Sequence, residues 1–123
     1  MKYMLMIYQD ENALSDADRE DCYAESLQLA EDLNATGNFI ATAPLYPTSM
    51  ATSVRVRDGE PLLTDGPFAE TREQFGGYFL IEAANADEAT GIAARIPGAR
   101  KGTVEVRPVI ELAGIPVRGE KRV

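Results

Sequence analysis

Met1-Lys2-Tyr3-Met4-Leu5-Met6-Ile7-Tyr8 opens the chain, and Gly76-Gly77-Tyr78-Phe79-Leu80-Ile81-Glu82 repeats its character far downstream. In an extended chain, neighbouring side chains point to opposite faces. Tyr3, Leu5 and Ile7 therefore share one side of the first stretch, and Met4, Met6 and Tyr8 the other. In the second, the contiguous Tyr78, Phe79, Leu80 and Ile81 do the same. A strand that is apolar on both sides belongs in the interior of a sheet covered on both faces.

Working outward, Ser15 offers an N-cap, with Asp16, Asp18, Glu20 and Asp21 at the positive end of a helix dipole. Cys22, Tyr23, Leu27, Leu29, Ala30 and Leu33 fall within one arc of about 160° at helical spacing, and Gly37 stops the helix. Asn38 to Ala43 reads as a strand ended by Pro44 and Pro47. Thr52 to Arg57, then Asp58-Gly59, then Glu60 to Thr64 reads as a hairpin. Asp65-Gly66-Pro67-Phe68 breaks it, and the polar run Ala69 to Gln74 is expected to hold a short helical turn. Asp87 to Ile96 is a second helix closed by Pro97-Gly98, and Thr103 to Ile110 alternates as a strand wet on one side. The order is α+β: a ferredoxin-like βαββαβ with an inserted hairpin, whose first and third strands lie at the sheet centre. Two helices cover only one face. The other, carrying Met4 and Met6, needs a further layer, and a second copy packed sheet against sheet would supply it.

The chain has 123 residues, which suits one domain. We read residues 1–113 as that domain and 114–123 as a C-terminal tail, with Arg118, Lys121 and Arg122, that orders only against a partner. A net charge of -8 repels phosphate backbones and anionic lipid, which argues against nucleic-acid or membrane partners. There is no histidine, so no Ser-His-Asp triad, Cys-His pair, imidazole base or histidine-ligated metal can form. The single Cys22 cannot make an internal disulfide, and no signal peptide or membrane span is read; the expected compartment is the cytoplasm.

Thr64 to Glu70 is the richest stretch and carries two readings. In one it is a turn: Asp65 caps its own backbone, Gly66 supplies an unusual φ, Pro67 fixes the exit and Phe68 plugs a gap. In the other, Asp65 is a carboxylate held at the mouth of a sheet, beside a pocket near Phe68 and Tyr78. Arg55, on one face of the hairpin with Arg57, could clamp a substrate carboxylate or lie on a solvated face. Tyr78 is either a pocket hydroxyl or a core aromatic. Glu70 and Glu73 either join Asp65 in a proton-handling group or are surface charge. These acids match no metal loop, and no metal or cofactor is expected. Cys22 reads as a buried small side chain, and Gly76-Gly77 as close backbone approach or a bulge.

The run Asp65-Gly66-Pro67-Phe68-Ala69-Glu70-Thr71-Arg72-Glu73-Gln74, followed by Gly76 to Glu82, resembles the DGPF-type members of the YCII-related domain family. Lys2 to Tyr8, Ala51 to Gly59 and Gly102 to Pro108 match as well. The resemblance implies a ferredoxin-like protomer of a dimeric α/β barrel. It also implies small-molecule substrates or ligands, and a functional link to extracytoplasmic-function sigma factors. Relatives with dehydrochlorinase-type activity carry a histidine-aspartate pair. This chain has no histidine, so that pair does not carry over; Asp65 matches the aspartate of the DGPF motif, and only that carries over.

Three readings follow. A small-molecule enzyme would use Asp65 as acid or base with Arg55 as electrostatic partner, and Gly66, Pro67, Phe68, Glu70 and Tyr78 against the ligand. A ligand sensor or sigma-factor accessory would bind without turnover. A structural module would use the loop to hold a dimer.

Overall fold

The structure, a computed structural model, describes residues 1–119. The first apolar stretch is strand β1 (Lys2–Gln9) and the second is strand β5 (Gln74–Glu82). They pair antiparallel at the centre of a four-stranded sheet. Strand β2 (Phe39–Pro44) flanks β5, and strand β6 (Thr103–Pro108) flanks β1. This is the α+β ferredoxin-like arrangement, with the order β2-β5-β1-β6.

The two faces have different fates. Tyr3, Leu5, Phe79 and Ile81 are buried against Leu29 and Leu33 of helix α1 (Asp16–Ala35) and Ala89, Ile92 and Ala93 of helix α2 (Ala86–Ala93). On the other face Met4 lies opposite Leu80 and Met6 opposite Tyr78, all four only partly buried. Among the described residues no helix covers that face.

Helix α1 begins where its cap predicts. Ser15 Oγ accepts from the Asp18 N–H at 3.1 Å, and Asp18 Oδ2 accepts from the Ser15 N–H at 3.2 Å, a reciprocal capping box. Gly37, at φ +79°, takes the chain out of the helix. The apolar arc is not uniformly buried, however. Leu29 and Leu33 are in the core, whereas Cys22 is half-buried and Tyr23 and Leu27 are exposed. The first half of the helix stands off the sheet.

Three local expectations are corrected. The second helix does not run to Ile96; it ends at Ala93, and a short helix α3 (Gly98–Lys101) follows Pro97. Gly98 sits so close to β1 that a Cβ there would lie 2.5 Å from Ile7 Cγ2, so α3 is pressed onto the strand rather than continuing α2. Ala69 to Gln74 forms no helical turn. The Gln74 amide donates to the Ala69 and Thr71 carbonyls at 3.3 and 2.9 Å, taking acceptors a helix would use itself. Strand β6 ends at Pro108, two residues short of Ile110. Of the tail, residues 114–119 contain no helix or strand, and Lys121 and Arg122 lie outside the described residues.

The hairpin forms as read: β3 (Thr52–Arg57) and β4 (Glu60–Asp65) flank Asp58 and Gly59, both at positive φ, 51° and 77°. That is a type I′ turn. The hairpin is a separate two-stranded sheet, not an extension of the main one.

Two measurements check this reading. Truncating Phe79, buried at the sheet centre, with Phe79→Ala should cost about 3–5 kcal/mol in chemical denaturation, and Ser15→Ala about 0.5–2 kcal/mol. The Ser15 backbone N–H, then its hydroxyl, then the Lys101 charge hold the Asp18 carboxyl below its ordinary value. A depressed folded value means stabilisation that is present above roughly pH 4 and lost as the pH falls through the folded value. Asp18→Asn should flatten that part of the acid limb of Tm against pH.

Candidate functional site

The loop after β4 is held by backbone and by Ser53. The Gly66 N–H donates to the Ala51 carbonyl at 2.7 Å, and Ser53 Oγ donates to the Gly66 carbonyl at 2.8 Å. Gly66 stands at φ +99°, which an L side chain would strain. Asp65 takes no part in these bonds, so it is not the turn's cap. Phe68 is 82% exposed and plugs no gap.

The ladder separates the residues expected to work together. Thr52 pairs with Asp65, Val54 with Leu63 and Arg55 with Leu62. Paired residues share a face, as do alternate residues along a strand, and successive residues do not. Asp65 therefore lies on the face of Val54 and Val56, and Arg55 on the opposite face. Tyr78 lies on the uncovered face of the main sheet, opposite Met6 and Ala43. Pro67 is half-buried and Glu70 exposed. Glu73 accepts from the Thr103 hydroxyl at 2.9 Å and so has a structural partner. No cluster of three or more metal-ligating side chains is found among the described residues.

Two concavities lie elsewhere, where the first half of α1 stands off the sheet. An inner chamber of about 310 Å³ is walled by Ile7, Leu27, Phe79, Ile96 and the aromatic ring of Tyr23, with Cys22 and Gln9 at its edge. An adjoining vestibule of about 560 Å³ shares Gln9, Cys22, Tyr23, Pro44 and Gly76 with it and adds Glu11, Arg19 and Tyr46. A Cβ at Gly77 would lie 3.0 Å from the Ala43 carbonyl oxygen, which confirms the expected close approach of two backbones. Gly98 forms the opposite wall under the same constraint.

The vestibule's two charges differ in freedom. Both Glu11 carboxylate oxygens are engaged by Thr48, from its N–H and its hydroxyl, each at 2.8 Å. Among the described residues Arg19 pairs only with the fully exposed Asp16, at 3.2 Å. Exposed pairs of this kind are weak, so the Arg19 guanidinium is free to meet an anionic group at the mouth.

None of Asp65, Arg55, Gly66, Pro67, Phe68, Glu70 and Tyr78 lines either space. Sequence reasoning missed Tyr23 and Leu27, which it assigned to a buried arc. Their one signal was the width of that arc, greater than a single packed stripe requires.

Comparison with known proteins adds three findings. The YCII-related domain matches residues 1–113. An uncharacterized protein of Rhizobium meliloti (strain 1021) is 36% identical over 118 residues, covering 89% of this chain and 92% of that one. A solved structure of 5-chloro-2-hydroxyhydroquinone dehydrochlorinase (TftG) from Burkholderia phenoliruptrix AC1100, in complex with 2,5-dihydroxybenzoquinone, superposes with a TM-score of 0.53. The alignment covers 89% of this chain and 94% of that chain at 17% identity. It establishes a shared fold.

The loop geometry makes a direct prediction. Asp65→Asn should leave the denaturation midpoint within about 0.5 kcal/mol of wild type, because an exposed carboxylate without structural bonds is removed. Gly66→Ala, forced to positive φ, should destabilise by about 1 kcal/mol or more.

Proposed function

The chain belongs to the YCII-related domain family, and from that premise we propose that it binds a small, largely apolar molecule between α1 and the sheet. The observation that carries this reading is the chamber itself. It is an apolar space of about 310 Å³ beside a vestibule that, among the described residues, offers the Arg19 guanidinium. That volume is at the lower end of small-molecule sites, the size of a single substituted ring. A protein of the same fold was solved with a small quinone, which agrees with a ligand of that size. The Arg19 guanidinium favours ligands with an acidic hydroxyl or carboxylate.

Whether turnover follows binding depends on Asp65. Without histidine, a carboxylate is the natural proton-handling group, and Asp65 has no structural duty in its loop. In the catalytic reading Asp65 is the acid or base, with Gly66, Pro67, Phe68 and Glu70 around it. Arg55, on the opposite face of the hairpin, cannot be its partner within one chain. A second reading, a non-catalytic sensor tied to a sigma-factor system, is favoured by the absence of Asp65 from the chamber wall. Both readings place the protein in the cytoplasm, on its single cysteine. Both also use a homodimer that covers the face of Met4, Met6, Tyr78 and Leu80.

The test is calorimetric titration with hydroxylated benzoquinones and substituted phenols, on wild type, Leu27→Arg and Asp65→Asn. Leu27 is 66% exposed at the chamber wall, so Leu27→Arg should fold normally and lose about tenfold or more in affinity. Asp65→Asn should bind as wild type does. Loss of turnover in that variant would support the enzyme reading, and absence of turnover in both would support the sensor. If no ring compound binds wild type, or if Leu27→Arg binds equally well, the chamber is not the site.

A further inference from the structure

We infer that the β3–β4 hairpin is an arm that clasps a second copy of this chain, and that it carries Asp65 across to that copy. The inference rests on the homodimer proposed above but does not follow from it. Two sheets could pack face to face with both hairpins left in solvent.

The first argument is that the hairpin cannot account for its own order. A two-stranded ribbon is marginal in water unless it packs against something. Here both faces are open, and Val54 and its cross-strand partner Leu63 are 61% and 69% exposed. Val56 and Pro61 extend the same apolar face toward the turn.

The second argument identifies the occupant. The chain exposes 8863 Å², against the roughly 6,500 Å² that area scaling gives for a folded monomer of this mass. The excess of about 2,400 Å² exceeds the roughly 800 Å² per partner of a standard interface. The hairpin contributes to that excess, as do Ile110, Leu112, Ile115 and Val117 after β6. The apolar sheet face of Met4, Met6, Tyr78 and Leu80 adds a second unpartnered surface. When one chain carries both an unsupported apolar arm and an uncovered apolar sheet, a two-fold pairing satisfies both surfaces twice.

The third argument is the register. Thr52 and Asp65 face each other on the side of Val54, Val56 and Leu63. Burying that side places Asp65 at the second copy. It leaves Arg55 and Arg57 on the outer face. This explains why a carboxylate without structural bonds stands on an apolar surface while lining no cavity of its own chain.

The experiment mixes copies methyl-labelled at Val, Leu and Thr with unlabelled copies, and records isotope-filtered contacts between chains. Contacts from the Val54, Val56 and Leu63 methyls are expected, together with contacts from the Thr52 methyl as the reporter for Asp65. Leu63→Asp, at an exposed position, should keep wild-type melting of the protomer and weaken self-association by roughly tenfold or more in sedimentation. If the protein is dimeric but the Thr52, Val54, Val56 and Leu63 methyls show no contact between chains, the clasp is wrong and the homodimer survives. If the protein is monomeric, both fail. Ligand binding at the Leu27 chamber is read separately and stands or falls alone.

Discussion

The antiparallel pairing of β1 with β5 is the constraint on which the rest of the molecule depends. Each strand is apolar on both sides, so each must be interior, and their register decides which apolar set meets the helices. Leu5 opposite Phe79 and Tyr3 opposite Ile81 form the floor on which α1 and α2 rest. A slip of one residue would send Met4 and Met6 to that floor and Leu5 to the open face. Strand β2 then pairs directly with β5, Ala43 against Tyr78 and Pro44 against Gly77. The whole segment from Leu45 to Glu73 is thereby expelled from the main sheet. The hairpin is an excursion because the centre of the sheet is already complete.

Local chemistry made much of this legible. Ser15 with Asp18 announces the start of α1, and Asp58-Gly59 announces a two-residue turn, because both signals act within a few residues of themselves. The doubly apolar stretches identified the central strands because a period of two leaves no other reading. Two stretches depart from that reading. Ala69 to Gln74 looked able to turn as a helix, but a side chain, the Gln74 amide, captured its carbonyls. The second helix stops at Ala93, and the short α3 that follows sets Gly98 against Ile7, a proximity across most of the chain's length.

The candidate site was less legible, for two different reasons. Arg55 and Asp65 were paired on residue type alone, yet their separation was available by parity. A two-residue turn sets Arg57 against Glu60, and counting back sets Arg55 against Leu62 and Thr52 against Asp65. The chamber was not available by any counting. It is a space, left where Tyr23 and Leu27 lift off the sheet. A sequence lists side chains, and an arc that overhangs a void reads the same as an arc that is packed.

The chamber and the loop of Asp65 are separate features of one protomer. The inner chamber has apolar walls and, among the described residues, no carboxylate. The free carboxylate stands on an apolar ribbon with no chamber beneath it. A general base must reach within hydrogen-bond distance of the proton it takes, and Asp65 is not among the residues that line the chamber. The uncovered sheet face gives an independent reason for a second chain to be present, since the hydrophobic effect penalises leaving Met4, Met6 and Leu80 in water whatever the ligand does. Under the proposed dimer, a chain that paired without bringing Asp65 to a ligand would be a binding protein, and one that delivered it would have the minimum equipment of an acid–base catalyst.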